Sequence, residues 1–442
     1  MQQDLDNKIR KANLLKVVYI AISFMMLFTA FNAGQNLMTQ IFKQLNYNGL
    51  GQSCLFAVMI CFACSSVIAP QYYKKVSTKV GLLLSSSTYV LFISGGALAT
   101  LCDNYNSNTS VCSHSFVYGY NVAMAALSGC GAGFLWLCQA TYVNACADEK
   151  SRGMFNGTFL SIYSTSQILS GVIATIILGK TTPATFYVTL LIFGALAILM
   201  FGFIQPPIPY DLTEKPQEPQ ITLVEALKSV KNTLLEQQYY FLFMAFIFTG
   251  VATTFYAIFL GSAVAISLDT SDISLINQST GFVFIVLALG NITAGLTMGR
   301  LADAYDKMKL LSAAMFVNEA ALLMTVLACA FKNYHFAVIC GSLWGFGETS
   351  IVTMINVIIG SKFNANPKIF SAYRIFYCTG GAFVTLCAMA LQKDVPIMFI
   401  MVIAAVLLAS QSLSYYHLKK EVKSNDYVRM AEERVMIELK NL

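Results

Sequence analysis

Three charged side chains stand inside apolar stretches that otherwise carry no charge: Glu319, Glu348 and Arg374. A charge at the centre of a membrane-spanning helix costs roughly 2.5–3.5 kcal/mol on insertion scales, so each of these residues needs a partner, water or a function. Three interpretations follow from the residue types. The group forms a proton- or ion-coupled substrate site, a structural or gating ion pair, or an interface with another membrane protein.

Glu348 and Arg374 lie on consecutive apolar stretches, within GSLWGFGETSIVTMINVIIG and FSAYRIFYCTGG. The loop between the stretches is short, which predicts two adjacent antiparallel helices. At about 1.5 Å of rise per residue, the two charges are offset by about 9 Å along the helix axis, a gap that long side chains can span. An ion pair is therefore the simplest way to bury both. Glu319 has no evident partner, so it is either protonated or faces water in a central cavity.

The first half of the chain has uncharged polar residues in its apolar stretches. Asn32, Gln35 and Asn36 are spaced to lie on one face of a helix, and Gln139 and Tyr142 follow one another at a three-residue step. Amides that face a central cavity would bind a polar solute. Amides that face neighbouring helices would instead hold those helices together, and the sequence leaves both alternatives open.

The remaining motifs argue against an enzyme. The three histidines fall at the ends of apolar stretches, no pair of them has metal-ligand spacing, and the sequence has no GxSxG, HExxH or P-loop pattern. No catalytic residue, metal or cofactor is predicted. The net charge of +6 comes from basic residues in short loops rather than from one basic surface, so no nucleic-acid partner is predicted either.

The composition is that of a membrane protein. Of 442 residues, 57% are hydrophobic and 11% are charged, whereas a soluble domain carries about 25% charged residues. Twelve apolar stretches are long enough to cross a bilayer. They are predicted at 17–40, 50–68, 80–101, 116–145, 154–178, 185–204, 239–262, 274–298, 310–331, 335–359, 369–391 and 397–417.

A polar, proline-rich segment at 205–238 divides these spans into two sets of six. We therefore predict an all-α membrane protein with a six-helix bundle at 17–204 and another at 239–417. Residues 221–234 have apolar positions at helical spacing, which predicts an amphipathic helix in the linker. Residues 1–16 and 418–442 are predicted to be a cytoplasmic N-terminus and a cytoplasmic tail.

Loop charges predict the orientation in the bilayer. Lysine and arginine are concentrated in alternate loops, which by the positive-inside rule places both termini and the linker in the cytoplasm. The sequons at Asn108 and Asn277 then face the other side and are candidate glycosylation sites. Cys102 and Cys112 flank the same outer loop as Asn108. They form a disulfide in an oxidising compartment or remain two free thiols.

One loop resembles a known signature. Residues 299–309 read GRLADAYDKMK, similar to the G-x-L-A-D-r-x-G-r-k loop of major facilitator proteins, with Gly299, Asp303 and Lys307 at matching positions. The resemblance implies that Asp303 caps a neighbouring helix and that Lys307 braces a gate. Ala304 and Asp306 depart from the signature, and the equivalent loop of the first half, APQYYKK at 69–75, lacks its glycine and aspartate.

Longer stretches resemble the Unc-ninety-three-like branch of that superfamily, the ion-channel regulators. They include LFTAFNAGQNLMTQIFKQLNYNGLG, GAGFLWLCQATYVNACADEKSRGMFNG and FSAYRIFYCTGGAF. The resemblance implies the two-bundle fold, a plasma or endolysosomal membrane, and association with a potassium channel, a receptor or a larger membrane complex. Localisation in an organellar inner membrane is a further alternative. The alternative is a secondary transporter of a small solute or ion, coupled to protons through Glu319 and Glu348.

Overall fold

The structure is a computed structural model, and it describes residues 2–73, 75–104, 109–178, 181–209, 237–270, 272–363 and 365–391. Within these ranges the chain forms eleven long α-helices and one 3₁₀ turn at Ser110–Cys112. The helices are α1 (Gln2–Gln44), α2 (Leu50–Tyr73), α3 (Thr78–Asn104), α4 (His114–Cys146), α5 (Arg152–Leu178), α6 (Pro183–Phe201), α7 (Gln237–Leu268), α8 (Ile273–Ala304), α9 (Lys307–Ala330), α10 (Tyr334–Lys362) and α11 (Pro367–Leu391).

Side-chain caps begin several of the helices. The Ser113 hydroxyl accepts a hydrogen bond from the Phe116 N–H at the start of α4, and Thr182 caps α6, where Pro183 occupies the first turn. Asp306 accepts from two N–H groups at the start of α9, and Asn333 caps α10. These residues satisfy N–H groups that the helices themselves leave unpaired, so short polar loops can separate long apolar helices.

The helices pack as two groups with separate apolar cores. Phe24, Phe159 and Phe201 are fully buried among α1–α6, and Phe246, Trp344 and Tyr373 are fully buried among α7–α11. The two groups, called here the first and second halves, meet along α5 and α8 and along α2 and α11. We call the end of the bundle at which α6 ends and α7 begins the linker end.

The helices agree closely with the predicted spans, with one large extension. Each of the first eleven predicted spans overlaps one helix, and nine of the described helices are long and apolar enough to cross a membrane. Helix α1, however, begins at Gln2 rather than at 17. Its polar first turns are held by tertiary contacts, because Asn13 exchanges two 2.9 Å hydrogen bonds with the backbone of Ile208 and Lys16 donates to the Pro206 carbonyl at 2.6 Å.

Several predictions fall on residues whose structure is not described. The predicted span at 397–417, the amphipathic helix at 221–234, the tail at 418–442 and the sequon at Asn108 all lie outside the described ranges. Asn277 lies near the start of α8, but its side chain is outside the described set. Both glycosylation sites therefore stay predictions.

Cys102 and Cys112 are joined by a disulfide in the structure, with their Cα atoms 5.4 Å apart. The bond ties the end of α3 to the 3₁₀ turn before α4. A crosslink across a loop of this length stabilises the folded chain by about 2–4 kcal/mol.

Replacing Cys102 with serine is therefore expected to lower the thermal unfolding midpoint of the purified protein, and reductant should lower the midpoint of the unmodified protein to the same degree. Mass spectrometry after thiol alkylation without reductant provides the direct check. Alkylation of both cysteines in the unreduced protein would contradict the disulfide.

Candidate functional site

Glu348 lies near the middle of α10 and is held by hydroxyl groups of α7. One carboxylate oxygen accepts a hydrogen bond from Thr253 Oγ1 at 2.9 Å, and the other accepts from the Tyr256 hydroxyl at 2.6 Å. The side chain is half-buried. Two donors for one carboxylate offset part of the free energy of removing it from water, so Glu348 is held in place without a cation.

Arg374 lies in α11 against three aromatic rings. Its guanidinium carbon is 4.6 Å from the ring centroid of Trp136, 4.7 Å from that of Tyr373 and 5.7 Å from that of Tyr377. The side chain is 8% exposed. Since Trp136 belongs to α4, this contact joins the second half to the first.

The predicted Glu348–Arg374 ion pair is absent from the described residues, where the ion pair found joins Lys332 to Asp269 at an exposed position. The prediction was wrong because each charged side chain contacts uncharged groups instead of the other charge. Hydroxyl groups of α7 bind the carboxylate, and aromatic faces cover the guanidinium. The predicted offset of Glu348 and Arg374 along two neighbouring helices does not reveal contacts with other helices.

Both charges nevertheless face the contact between the halves. Tyr163 of α5, in the first half, interacts electrostatically with both Glu348 and Arg374. Tyr377 of α11 interacts with the same two groups, and its ring lies 6.4 Å from that of Phe62 on α2. We call Glu348, Arg374, Tyr163, Tyr256 and Tyr377 the seam site.

An aromatic wall forms the first-half side of the seam site. The Trp136 ring lies 5.5 Å from Tyr163, 5.3 Å from Phe28 and 5.8 Å from Phe24. Trp136 and Tyr163 are only half-buried although both lie within long helices. The Trp136 ring presents its face to the Arg374 guanidinium, and none of these rings supplies a charge of its own.

The predicted amides do not assemble around this site. Asn32 is half-buried and donates to Ser166 Oγ of α5 at 3.3 Å, so it joins two helices of one half. Gln35 is half-buried and Asn36 is exposed. Gln139 is 1% exposed, and neither of its side-chain polar atoms has a hydrogen-bond partner among the described residues.

Tyr142, predicted as a cavity residue, binds the backbone just after α6. It is buried, and its hydroxyl donates to the Gln205 carbonyl at 2.7 Å, just after α6. Helical spacing places Tyr142 on roughly the same face of α4 as Gln139. The structure shows that its hydroxyl binds a backbone carbonyl just after α6, where carbonyl groups no longer accept hydrogen bonds within the helix. Tyr142 therefore stabilises the linker end of the first half.

Glu319 also lies apart from the seam site. It is half-buried on α9, and it has no hydrogen-bond or ion-pair partner among the described residues. No electrostatic contact links it to Glu348 or Arg374. The structure thus separates Glu319 from the other two charges.

Asp303 joins the halves at the linker end. Its two carboxylate oxygens accept hydrogen bonds from the Gly153 N–H at 2.6 Å and from the Met154 N–H at 2.8 Å. These are among the first N–H groups of α5, where a carboxylate is favoured by hydrogen bonding and by the helix dipole. Lys307 begins α9 one turn beyond Asp303 and interacts with it electrostatically.

Glycines allow α5 and α8 to approach closely beside this cap. A Cβ atom on Gly299 would lie 2.6 Å from the Gly153 carbonyl oxygen and 3.0 Å from the Gly157 Cα, and one on Gly295 would lie 2.8 Å from the Gly157 carbonyl oxygen. Ser161 Oγ continues the contact by donating to the Ile292 carbonyl at 3.1 Å. This glycine stripe is not among the features predicted above from the sequence, although glycines four residues apart on both helices are a known signal of close packing.

Replacing Asp303 with alanine is expected to destabilise the protein by about 0.5–2 kcal/mol, because the first turn of α5 loses its acceptor. Thermal unfolding of the purified protein measures this. The matched control is Asp269→Asn, which removes the charge from an exposed ion pair and keeps a residue type that tolerates the left-handed backbone of this position (φ 47°); it is expected to change stability by less than about 1 kcal/mol. Equal effects of the two substitutions would contradict the assigned cap.

No group of three or more histidine, cysteine or acidic side chains in the described ranges is placed to hold a metal ion. The side chains of the seam site offer chemistry of their own. Glu348 can exchange a proton or bind a cation, Arg374 can bind an anion, and the rings can cover the apolar part of a solute.

Comparison with known proteins agrees with this architecture. The chain is 22% identical over 410 residues to the UNC93-like protein MFSD11 of Xenopus laevis, a match that covers 82% of this chain and 86% of that protein. It is 21% identical over 418 residues to human protein unc-93 homolog A, covering 83% and 86%. The crystal structure of the E. coli transporter FucP in the outward conformation superposes with a TM-score of 0.64 at 16% identity, covering 91% of this chain and 98% of that one.

A sequence profile of the Major Facilitator Superfamily matches residues 109–385, more than half of the chain. The apolar helices and the shared fold agree with the profile. The predicted fold class and the predicted resemblance to the Unc-ninety-three-like branch are both confirmed. The chain is a multi-pass membrane protein and belongs to the Major Facilitator Superfamily.

Proposed function

We propose that this protein carries a small solute or ion across the membrane by alternating access, with the seam site as the binding site. One observation carries the proposal: Glu348 and Arg374 both face the contact between the halves, and neither neutralises the other. Charges that served only to lock the bundle would pair directly. Unpaired charges on the surface of one half that faces the other half leave room for a ligand between the halves.

The distribution of contacts supports the same proposal. At the linker end, the halves touch backbone to backbone through glycines and are joined by the Asp303 cap. At the level of Glu348, half-buried aromatic and hydroxyl groups line the contact instead. Tight closure on one side and half-buried polar groups beyond it are the arrangement that a carrier closed at the linker end requires.

The test is solute-driven proton movement in proteoliposomes that enclose a pH-sensitive dye. Small organic anions, cations and neutral solutes are added outside, and the carrier proposal expects one chemical class to move protons through the protein. Liposomes holding the protein with both seam charges removed, Glu348→Gln with Arg374→Gln, provide the background. Flux that is unchanged by this pair of substitutions would overturn the proposal.

The second candidate is association with another membrane protein, such as a potassium channel or a receptor. It is supported by similarity to unc-93 homologues over more than four fifths of the chain and by the loss of the signature glycine and aspartate at 69–75. Purification from native membranes in mild detergent, followed by mass spectrometry, is the test. Co-purification of a stoichiometric membrane partner would support association. Purification of this chain alone would reject the association proposal.

The proposal also includes the orientation of the protein in the bilayer and the cellular membrane in which it resides. We propose that the linker end faces the cytoplasm, as the loop charges predict, and that the protein resides in a plasma or endolysosomal membrane, as its relatives' family implies. Glycosylation at Asn108 would support both, because the loop charges predict that this sequon faces away from the cytoplasm. Digestion with an endoglycosidase, read as a change in electrophoretic mobility, measures it.

A further inference from the structure

Arg374 is a buried cation without an anion. It is 8% exposed, no carboxylate pairs with it among the described residues, and none of its N–H donors is hydrogen-bonded within that set. A guanidinium has five such donors. Contacts with aromatic faces contribute about 0.5–2 kcal/mol, whereas an unpaired charge buried in a protein costs several kcal/mol.

The sequence offers few acidic groups at this depth. Among the predicted spans, only Glu319 and Glu348 are acidic. Glu319 lies apart on α9, and Glu348 is bound by Thr253 and Tyr256. An anion that pairs with Arg374 would therefore come from outside the chain or from a rearrangement of Glu348.

On these grounds we propose that the transported solute carries an anionic group that binds Arg374, and that a proton on Glu348 balances its charge. This inference rests on the proposed carrier function and names its substrate class. When the Glu348 carboxylate is ionised, Glu348 and Arg374 together carry no net charge. An added anion would lie near the Glu348 carboxylate and be repelled by it, and a proton taken up by Glu348 removes that repulsion.

The groups that face Glu348 are consistent with a single titrating carboxylate. Helix α8 contributes the neutral Asn291, which accepts from Thr349 beside Glu348 at 3.0 Å, and α9 contributes the neutral Asn318 against Gly347. Among the described residues, the other helices contribute hydroxyl groups and one cation: Thr253 and Tyr256 of α7, Tyr163 of α5, and Tyr373, Arg374 and Tyr377 of α11.

The aromatic walls define the rest of the solute. Trp136, Tyr163 and Tyr377 are half-buried rings that offer flat apolar surface beside the guanidinium. An aromatic or aliphatic carboxylate fits this combination, because its anionic group reaches Arg374 while its body covers the rings. A cationic solute would have to displace the Arg374 guanidinium from the Trp136 ring, and the positive charge of Arg374 would repel it.

The test is binding of benzoate to the purified full-length protein in detergent. Benzamide serves as the neutral analogue and benzylammonium as the cationic one. The chain has two tryptophans, and Arg374 lies over one of them. The Trp344→Phe variant therefore leaves Trp136 as the fluorescence reporter, with a thermal-stability titration of the unmodified protein as an independent readout.

We expect saturable binding of benzoate and at least tenfold weaker binding of both analogues. Benzoate should bind more tightly at acidic than at neutral pH, by up to about tenfold per pH unit if one proton is taken up. Arg374→Gln should abolish binding, and Lys332→Gln, which removes an exposed cation, should leave it unchanged. Glu348→Gln should keep the tight binding and lose its pH dependence.

Three results would overturn the inference: benzylammonium or benzamide binding as tightly as benzoate, affinity for benzoate that does not change with pH, or loss of binding in Glu348→Gln. The selectivity among the three probes is measured on the protein with an intact seam site, so it stands even if the Arg374 variant fails to fold. Binding of benzoate without flux in proteoliposomes would reject the carrier proposal alone. Flux of a cation would reject the anion inference alone.

Discussion

Replacing Gly299 with leucine is expected to force the halves apart at the linker end. Its new side chain would meet the Gly153 carbonyl oxygen and the Gly157 Cα, and these backbone atoms cannot move without moving α5. Overpacking in a tight contact typically costs 1–3 kcal/mol. We expect a lower thermal midpoint and at least tenfold faster hydrogen exchange in the first three turns of α5.

The matched control for this prediction is Gly281→Leu on the same helix. A Cβ atom at Gly281 meets nothing within 4 Å, and leucine is a better helix former than glycine. Gly281→Leu should therefore leave exchange in α5 unchanged and preserve or raise the thermal midpoint. If the two variants behave alike, the glycine stripe does not hold the halves together.

The second large effect is expected from Glu348→Gln. The amide keeps the size of the side chain and an oxygen that can accept from Tyr256, but it cannot exchange a proton. Proton-driven accumulation of solute should fall at least tenfold, equivalent to about 1.4 kcal/mol, whereas exchange of solute between the two sides should persist.

Glu319→Gln is the control for that result because it makes the same chemical change on the neighbouring helix α9. Glu319 has no hydrogen-bond or ion-pair partner among the described residues. The Glu319→Gln variant should therefore accumulate solute as well as the unmodified protein does. Uptake assays in proteoliposomes with an imposed pH gradient compare the two variants. An equal loss in both would contradict the assignment of Glu348 as the single coupling residue.

Helix positions were predictable from the sequence because long apolar runs and capping residues act locally. Helix α10, for example, begins one residue before its predicted span and ends three residues after it. The extension of α1 to Gln2 was not predicted, because its first turns are polar and depend on contacts between Asn13 and Ile208 that are 195 residues apart in sequence.

The candidate site was predictable in its residue types and not in its contacts. Glu348 and Arg374 were identifiable because charge inside an apolar helix is costly. Their actual partners, Tyr256 and Trp136, are fixed only when α7 and α4 pack against α10 and α11. The role of Asp303 followed from a signature that encodes a contact between helices, which is why a resemblance located it and helical periodicity did not.

Hydrogen exchange of the unmodified protein in lipid nanodiscs tests the central claim, that the halves separate around the seam site, most directly. Residues 152–161 of α5 and 292–304 of α8 belong to different halves and cover one another in the structure. The claim predicts that both segments exchange at one common rate, faster than residues 92–100 of α3, which pack against α1, α4 and α6 within the first half, because a single opening motion exposes both. Protection of both segments for as long as residues 92–100 would mean that the halves do not separate, and it would contradict alternating access.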